Sequence, residues 1–174
     1  MLSFEVERPG DARAREALLD TCFGSQRHRK TVAKLRRGRC PAEGLALVAR
    51  RDGVLVGTVR LWRVDAGSAG PALLLGPIAV APGLQGDGIG SQLMTAALAR
   101  AKALGHRAVL LVGDAAYYRR FGFRRDLAAD LALPGPVELS RFLALELVPG
   151  ALAHAAGPVV ATGEPLASKR RRAA

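Results

Sequence analysis

Polar and apolar residues alternate over residues 3–7 before Pro9-Gly10 interrupts them, and a period of two predicts a short first strand. Asp11 is placed to cap a helix running to about Phe23, with Ala14, Ala17, Leu18 and Thr21 on one face and Gly24 at its end. Residues 27–37 read as a second, basic helix with Val32 and Leu35 as its main apolar contacts, stopped by Gly38. Residues 45–50 and 54–64 read as two strands. Arg51-Asp52-Gly53 joins them, and Asp-Gly is a strong hairpin signal. In the second of these strands Val56, Thr58, Arg60 and Trp62 share one face, while Val59, Leu61 and Arg63 share the other.

The run from Ala72 to Val80 is almost continuously apolar, as suits a strand buried on both faces. Gly76-Pro77 lies inside it, and proline donates no ladder hydrogen bond, so a bulge or a splayed pair of strands is expected there. A glycine-rich turn, residues 85–90, leads into a helix to about Leu104 whose buried side carries Ile89, Leu93, Ala97, Ala101 and Leu104, with Gly105 as its stop. Residues 108–112 form another buried strand. Asp114 then caps a short helix containing Tyr117 and Tyr118, closed by Gly122. One further strand is expected over residues 137–148, and the segment from Gly157 onward is poorly patterned. This order predicts an α/β (α+β) domain over residues 1–167, a mixed sheet with helices packed on it, followed by a basic, disordered tail at 168–174.

The apolar share of 49% argues against disorder at large. Charge narrows the class further: 26 Lys and Arg stand against 15 Asp and Glu, a formal net charge of +11. Such a field favours anionic partners, among them nucleic acid, an anionic membrane surface or a polyphosphate cofactor. Residues 27–39 hold Arg27, Arg29, Lys30, Lys34, Arg36, Arg37 and Arg39 and no acid. The two cysteines, Cys22 and Cys40, form no Cys-x-x-Cys pair and the histidines are scattered, so no metal site is expected. No apolar run spans a bilayer and the acidic, alternating start is unlike a signal peptide, which points to a cytoplasmic protein without a membrane partner.

Glycines at 86, 88 and 90 let main-chain N–H groups converge at a helix start, where the helix dipole favours an anion. The Gly-x-Gly-x-x-Gly dinucleotide pattern fails at Ser91 or Leu93, and no Lys-Ser/Thr follows the glycines as a phosphate-binding P-loop requires. A glycine-rich turn with no ligand stays open on these residues alone.

Gln85-Gly86-Asp87-Gly88-Ile89-Gly90 resembles the signature Gln/Arg-x-x-Gly-x-Gly/Ala of the GNAT N-acetyltransferases, and it sits after a strand and opens a helix as that family requires. Tyr118-Arg119-Arg120-Phe121-Gly122-Phe123 resembles the family's Tyr-x-x-x-Gly-Phe. The stretch from Leu75 to Phe123 is similar to one subgroup of bacterial acetyltransferases. The resemblance implies a GNAT-like single domain, with a mixed, mostly antiparallel sheet, splayed middle strands and flanking helices. It implies acetyl-CoA as cofactor and direct acetyl transfer to an amine, on a small molecule or on a protein.

Residue by residue, it implies that Gln85, Gly86, Asp87, Gly88, Ile89, Gly90 and Ser91 hold the pyrophosphate. Main-chain groups of Ile78, Ala79 and Val80 line the pantetheine arm, and Tyr118, also beside the cofactor, is the general acid. Tyr117 is expected in the packing. Where the family often has an asparagine, seven residues before the tyrosine, this chain has Leu111. The central strand lacks a glutamate, leaving a loop carboxylate such as Glu43, or water, as the base. The basic 27–39 stretch reads either as a site for an acidic acceptor or the cofactor's 3′-phosphate, or as a solvated face. Two other classes remain open: a nucleic-acid-binding or interaction module using the basic helix and tail, though the stretch lacks interleaved aromatics, and a non-catalytic CoA sensor. Oligomeric state is not specified; a homodimer is compatible.

Overall fold

The computed structural model describes residues 1–173. Eight strands, β1 (Leu2–Val6), β2 (Ala46–Arg51), β3 (Val54–Ala66), β4 (Pro71–Val80), β5 (Ala108–Val112), β6 (Asp130–Ala132), β7 (Phe142–Glu146) and β8 (Ala156–Ala161), make one sheet. Four helices accompany them: α1 (Ala12–Phe23), α2 (Ile89–Ala103), α3 (Ala115–Tyr118) and α4 (Leu166–Ala173). The sheet order is β1-β2-β3-β4-β5-β7, with β8 on the far end of β3 and β6 on β8. Only β4–β5 and β6–β8 are parallel, so the sheet is mixed and mostly antiparallel, as the sequence implies. Asp52 and Gly53 both take positive φ in the β2–β3 turn, the backbone that makes Asp-Gly suited to a two-residue hairpin.

β4 is buried on both faces. Leu73 and Leu75 join α2's Ile89, Leu93, Met94, Ala97 and Ala101 in one core, while Leu74 joins Trp62, Leu110, Leu35 and Phe142 in a second on the opposite face. The alternation of a strand's side chains produces both cores from one run of leucines. Gly57 of β3 permits the close approach of α2, since a Cβ there would meet Leu93 at 2.9 Å and Ala49 at 3.2 Å. α1 lies on the other face and packs Leu18 and Leu19 on Ala79.

The expected splay is present. β4 pairs with β5 only at Leu73–Val109 and Leu74–Leu110, and its ladder with β3 slips between the Leu61–Leu75 and Val59–Ile78 pairs, opposite Gly76 and Pro77. The Gly76-Pro77 peptide is cis. The indole N–H of Trp62 donates to the Gly76 carbonyl at 2.6 Å, which satisfies an oxygen that the slipped register has released.

Several expectations are corrected. Residues 27–37 are not one helix but two 3-10 turns, Ser25–Arg29 and Thr31–Leu35, separated by an extended Lys30. Lys34 donates to the Pro134 carbonyl and Thr31 to that of Pro136, so these turns are fixed by a distant loop. Leu104 is exposed, one residue past the end of α2. A bulge in the β2–β3 ladder sends Val56 to the α2 side rather than to that of Trp62. The strand expected over 137–148 shrinks to β7 because a 3-10 turn occupies Leu139–Arg141. β8 was hidden by Gly157 and Pro158; its 156–158 half pairs only with β6 and its 159–161 half only with β3, so Pro158 has a strand on one side alone. Leu166–Ala173, covering most of the stretch expected to be disordered, is helical, and the Leu166 N–H donates to the Gly38 carbonyl. Ala174 lies outside the described residues.

Asp11 does not cap α1 with its side chain. Its carboxylate instead accepts the Arg8 N–H and two contacts of 2.7 Å from Arg50 of β2, joining the helix entry to the sheet. The Arg50 hydrogen bond, helped by the Arg8 N–H, holds this carboxyl below the usual aspartate range. A depressed folded-state pKa adds stability that is fully present above the unfolded value, about 3.9, and is lost as pH falls through the folded one. Asp11→Asn should therefore cost about 1.5–3 kcal/mol at pH 7, the usual contribution of hydrogen bonds to a charged group. Urea unfolding of both proteins at pH 7 and pH 3 checks this, with the gap expected to narrow at the lower pH.

Candidate active site

Two clefts meet where β4 leaves β5. The main chain of β4 supplies their common edge. The Ala81 N–H donates to Val56 of β3 at 2.8 Å, whereas the Val80 carbonyl points away from β3 and accepts from Cys22 Sγ at 3.4 Å and Gln85 Nε2 at 3.3 Å. A strand residue sends its N–H and C=O to the same side, and successive residues alternate. Val80 and Ile78 thus turn their N–H groups into the gap that β5 has left, while Ala79 turns its own toward β3.

The first of the clefts, about 540 Å³, runs past Ile78, Val80, Gln85, Gly86, Gly88 and Gly90. Gly86 and Gly88 have φ of +94° and +77°, conformations that side-chain-bearing residues rarely adopt, and Gly88 is the left-handed residue from which α2 starts. The first turn of α2 consequently borders the cleft with glycine at 86, 88 and 90, so no Cβ of these residues stands before its unpaired N–H groups. At Gly90 a Cβ would lie 3.4 Å from the Tyr117 hydroxyl and 3.6 Å from Val80 Cγ2, so glycine keeps the cradle open. Ile89 points the other way, into the core. Asp87 faces Arg51 at 3.3 Å and is not part of the lining, while Ser91 is.

The second cleft, about 680 Å³, is bounded by the parted strands, the 3-10 turns of 25–35 and the loop 136–141. Phe23, Ile78 and Tyr117 line both clefts and frame the passage between them. Asp114 accepts the Ala116 N–H at 2.9 Å and so starts α3, as expected. Gly122, at φ +93°, ends the turn that follows. Tyr118 lies directly on the Gly113 backbone, where a Cβ would come within 2.3 Å of its ring. Its ring also meets those of Tyr117 and Phe123 edge-on at 4.9 and 6.0 Å. Burial pushes its phenol up to about 12, with the neighbouring Tyr117 adding to the rise and Arg141 opposing it.

Sequence-expected residues are thus brought together at one place: Ile78, Ala79, Val80, the 85–91 turn except Asp87, and Tyr118 all line these clefts. Tyr117, expected in the packing, is half-buried and divides the clefts, with the Arg120 guanidinium 4.6 Å from its ring centre. Leu111 is buried in the wall and presents no polar group where an asparagine was looked for. Glu43 is exposed beside Gly44, which meets Arg100 and Leu104 at the C-terminal end of α2, and it lines neither cleft. The carboxylates in the larger cleft are Asp114 and Glu138. Glu138 was missed because its place depends on the non-local tie between the loop and the 31–35 turn. The 27–39 stretch is not a uniformly solvated face: Arg27 is largely enclosed and paired with Glu16 and Asp20 of α1, and Arg36 enters the cleft wall. Among the described residues no group of three His, Cys, Asp or Glu side chains could hold a metal ion, and no helix is long and apolar enough to cross a membrane.

Comparison with known proteins gives a consistent result. Residues 13–123 match the model of the Acetyltransferase (GNAT) family. The chain is 35% identical over 156 residues to the N-acetyltransferase YhbS of Escherichia coli, covering 88% of this chain and 92% of that one. It is 30% identical over 137 residues to the N-acetyltransferase YjhQ of the same organism, covering 77% and 75%. The crystal structure of E. coli YhbS in complex with CoA superposes with a TM-score of 0.78 over 92% of this chain and 89% of that one, at 33% identity. A GNAT family acetyltransferase of Brucella melitensis in complex with acetyl-CoA gives 0.64 at 32% identity, covering 86% and 90%.

A substitution that fills the cradle without straining the backbone should block the cofactor. Gly90 sits in the first turn of α2 and lacks a positive φ, so Gly90→Val is compatible with the fold and directs a branched side chain at Tyr117 and Val80. Calorimetric titration should show coenzyme A affinity reduced at least about tenfold, roughly 1.4 kcal/mol. Undiminished affinity in the folded variant would remove Gly90 from the cofactor site.

Proposed function

The chain belongs to the acetyltransferase (GNAT) family and is an acyltransferase that uses acetyl-CoA; on that premise we propose that it acetylates a primary amine of a small molecule by direct transfer, with Tyr118 as general acid. One juxtaposition carries the reading: the unpaired edge of β4 at Ile78 and Val80 leads from the glycine-lined cleft into the cleft that Tyr118 lines. Bound acetyl-CoA supplies an acetyl group activated as a thioester.

The chain's own part is to bind, orient and handle protons. Main-chain N–H groups around Gly86, Gly88, Gly90 and Ser91 hold the pyrophosphate at the positive end of α2, and Gln85 fixes the loop through Val80. The N–H groups of Val80 and Ile78 pair with the pantetheine arm as a neighbouring strand would, and that of Ile78 polarises the reacting carbonyl. Phe23 and Tyr117 wall the junction and limit water there. Tyr118 holds a proton at its phenol oxygen for the departing sulfur. Glu138 is the cleft carboxylate available to receive the proton of the amine, since Asp114 is engaged in capping α3.

The raised pKa of Tyr118 has a definite sign. A phenol pushed to about 12 stays protonated at neutral pH and past pH 10, so the acid is in its active form over that range. On the basic side the rate should hold past pH 10, where an unperturbed phenol of pKa about 10 would already be half ionised. The chain has two tyrosines. In Tyr117→Phe the remaining phenol can be followed alone by its phenolate absorbance, and its midpoint should lie well above about 10.

Tyr118→Phe keeps the ring and removes the proton. Single-turnover rates with one amine should fall by about 10² to 10⁴, with coenzyme A affinity nearly unchanged, whereas Tyr117→Phe should have a much smaller effect. Equal rates for wild type and Tyr118→Phe would mean that the sulfur leaves unaided or takes its proton from water.

A further inference from the structure

Arg36 is a cation of the larger cleft that the fold leaves uncompensated. It follows the Thr31–Leu35 turn, and its guanidinium lies 3.7 Å from the position of a Cβ on Gly76, at the point where β4 breaks register. Among the described residues it makes no ion pair and no side-chain hydrogen bond. Neighbouring arginines behave differently. Arg27 is paired with Glu16 and Asp20, Arg60 with Glu7, and Arg50 with Glu5 and Asp11. Burial, with Arg27 adding repulsion, lowers the pKa of Arg36 to about 10, which still leaves it charged at neutral pH.

A half-buried guanidinium without an anion is unfavourable unless something else meets it, because burial removes water that no protein group replaces. Arg36 lines the cleft shared with Tyr118 and Glu138 and does not line the glycine cleft. An anion that it binds is therefore not at the pyrophosphate end of the cofactor; Arg36 also borders a smaller recess with Arg27, Arg37, Arg39 and Arg60, but the larger cleft is the one it shares with Tyr118 and Glu138. Arg141, close enough to Tyr118 to oppose its raised pKa, makes the same cleft positive from its opposite rim. The planar fork of arginine suits two oxygens of one group.

We propose that Arg36 binds an anionic group of the acceptor, so that the substrate class is a small amine that also carries a carboxylate or a phosphate. This rests on the acetyltransferase reading above. The cleft then holds the amine near Tyr118 and Glu138 while its anionic end lies at the break in β4. Neutral amines and polyamines meet a wall of like or unmatched charge and are disfavoured.

Matched probes test this directly: L-lysine against L-lysinamide for the carboxylate, and phosphoethanolamine against ethanolamine for the phosphate. Two measurements are made, thiol release from acetyl-CoA and calorimetric binding of each probe to the protein without acetyl-CoA. At least one anionic member should exceed its neutral partner by about tenfold or more in both, and the pair that shows the difference identifies the anion. Arg36→Gln should abolish that preference while the rate with the neutral member stays within about twofold, and Arg36→Lys should restore part of it. Equal binding within both pairs, or equal losses for both members in Arg36→Gln, would overturn the proposal. Preferential binding without any thiol release would instead uphold the anion site and count against the acetyltransferase reading. Should Arg36→Gln not fold, the wild-type pairs alone decide.

Discussion

The structure depends on a single constraint in the sheet: β4 must stay bonded to β3 on both sides of the slip at Gly76-Pro77 yet abandon β5 after two pairs. Backbone N–H groups left without a partner are costly in a protein interior. A strand that parts from its neighbour therefore requires either a substitute within the chain or a ligand that behaves as a strand. Here the chain supplies only some substitutes. Trp62 takes up the Gly76 carbonyl, and Cys22 and Gln85 take up that of Val80. The N–H groups of Ile78 and Val80 are left facing the gap, an unpaired strand edge of the kind that a ligand with amide groups complements.

The outer wall is held by charge. Glu7 pairs with both Arg15 and Arg60, Arg15 also pairs with Glu16, and Arg27 is bound between Glu16 and Asp20. This chain of ion pairs runs from the residue after β1 and the slipped part of β3 through α1 to the turns above the larger cleft. Single exposed pairs contribute little. These members are mostly enclosed, however, and removing one would leave the next without an opposite charge. The linkage ties the acceptor side of the site to the same part of β3 whose register with β4 is broken.

Much of this was legible in the sequence, for reasons that differ by element. The 85–90 turn and the run from Tyr118 to Phe123 are local: glycine spacing, a capping Asp114 and the terminating Gly122 set their shape from adjacent residues. The splay was legible because Gly76-Pro77 interrupts a run otherwise fit for an unbroken central strand. The 25–35 segment was not. Its seven-fold basic character with Arg36, Arg37 and Arg39 suggests a solvated helix, but its conformation follows from carboxylates on α1 and from carbonyls of Pro134 and Pro136 about a hundred residues away. β8 was obscured by Gly157 and Pro158, residues poor in strand propensity that are acceptable here because that half of the strand has a neighbour on one side only. Glu138 and Arg36 take their meaning from tertiary approach alone, which periodicity does not encode.

The two clefts have only Phe23, Ile78 and Tyr117 in common among their lining residues. A consequence concerns traffic. On the proposed assignment the cofactor and the acceptor lie in different clefts that share only that wall. Such a molecule is suited to assembling both reactants before reaction, with initial-rate plots that converge rather than run parallel. On that assignment the order of product release would follow relative affinities.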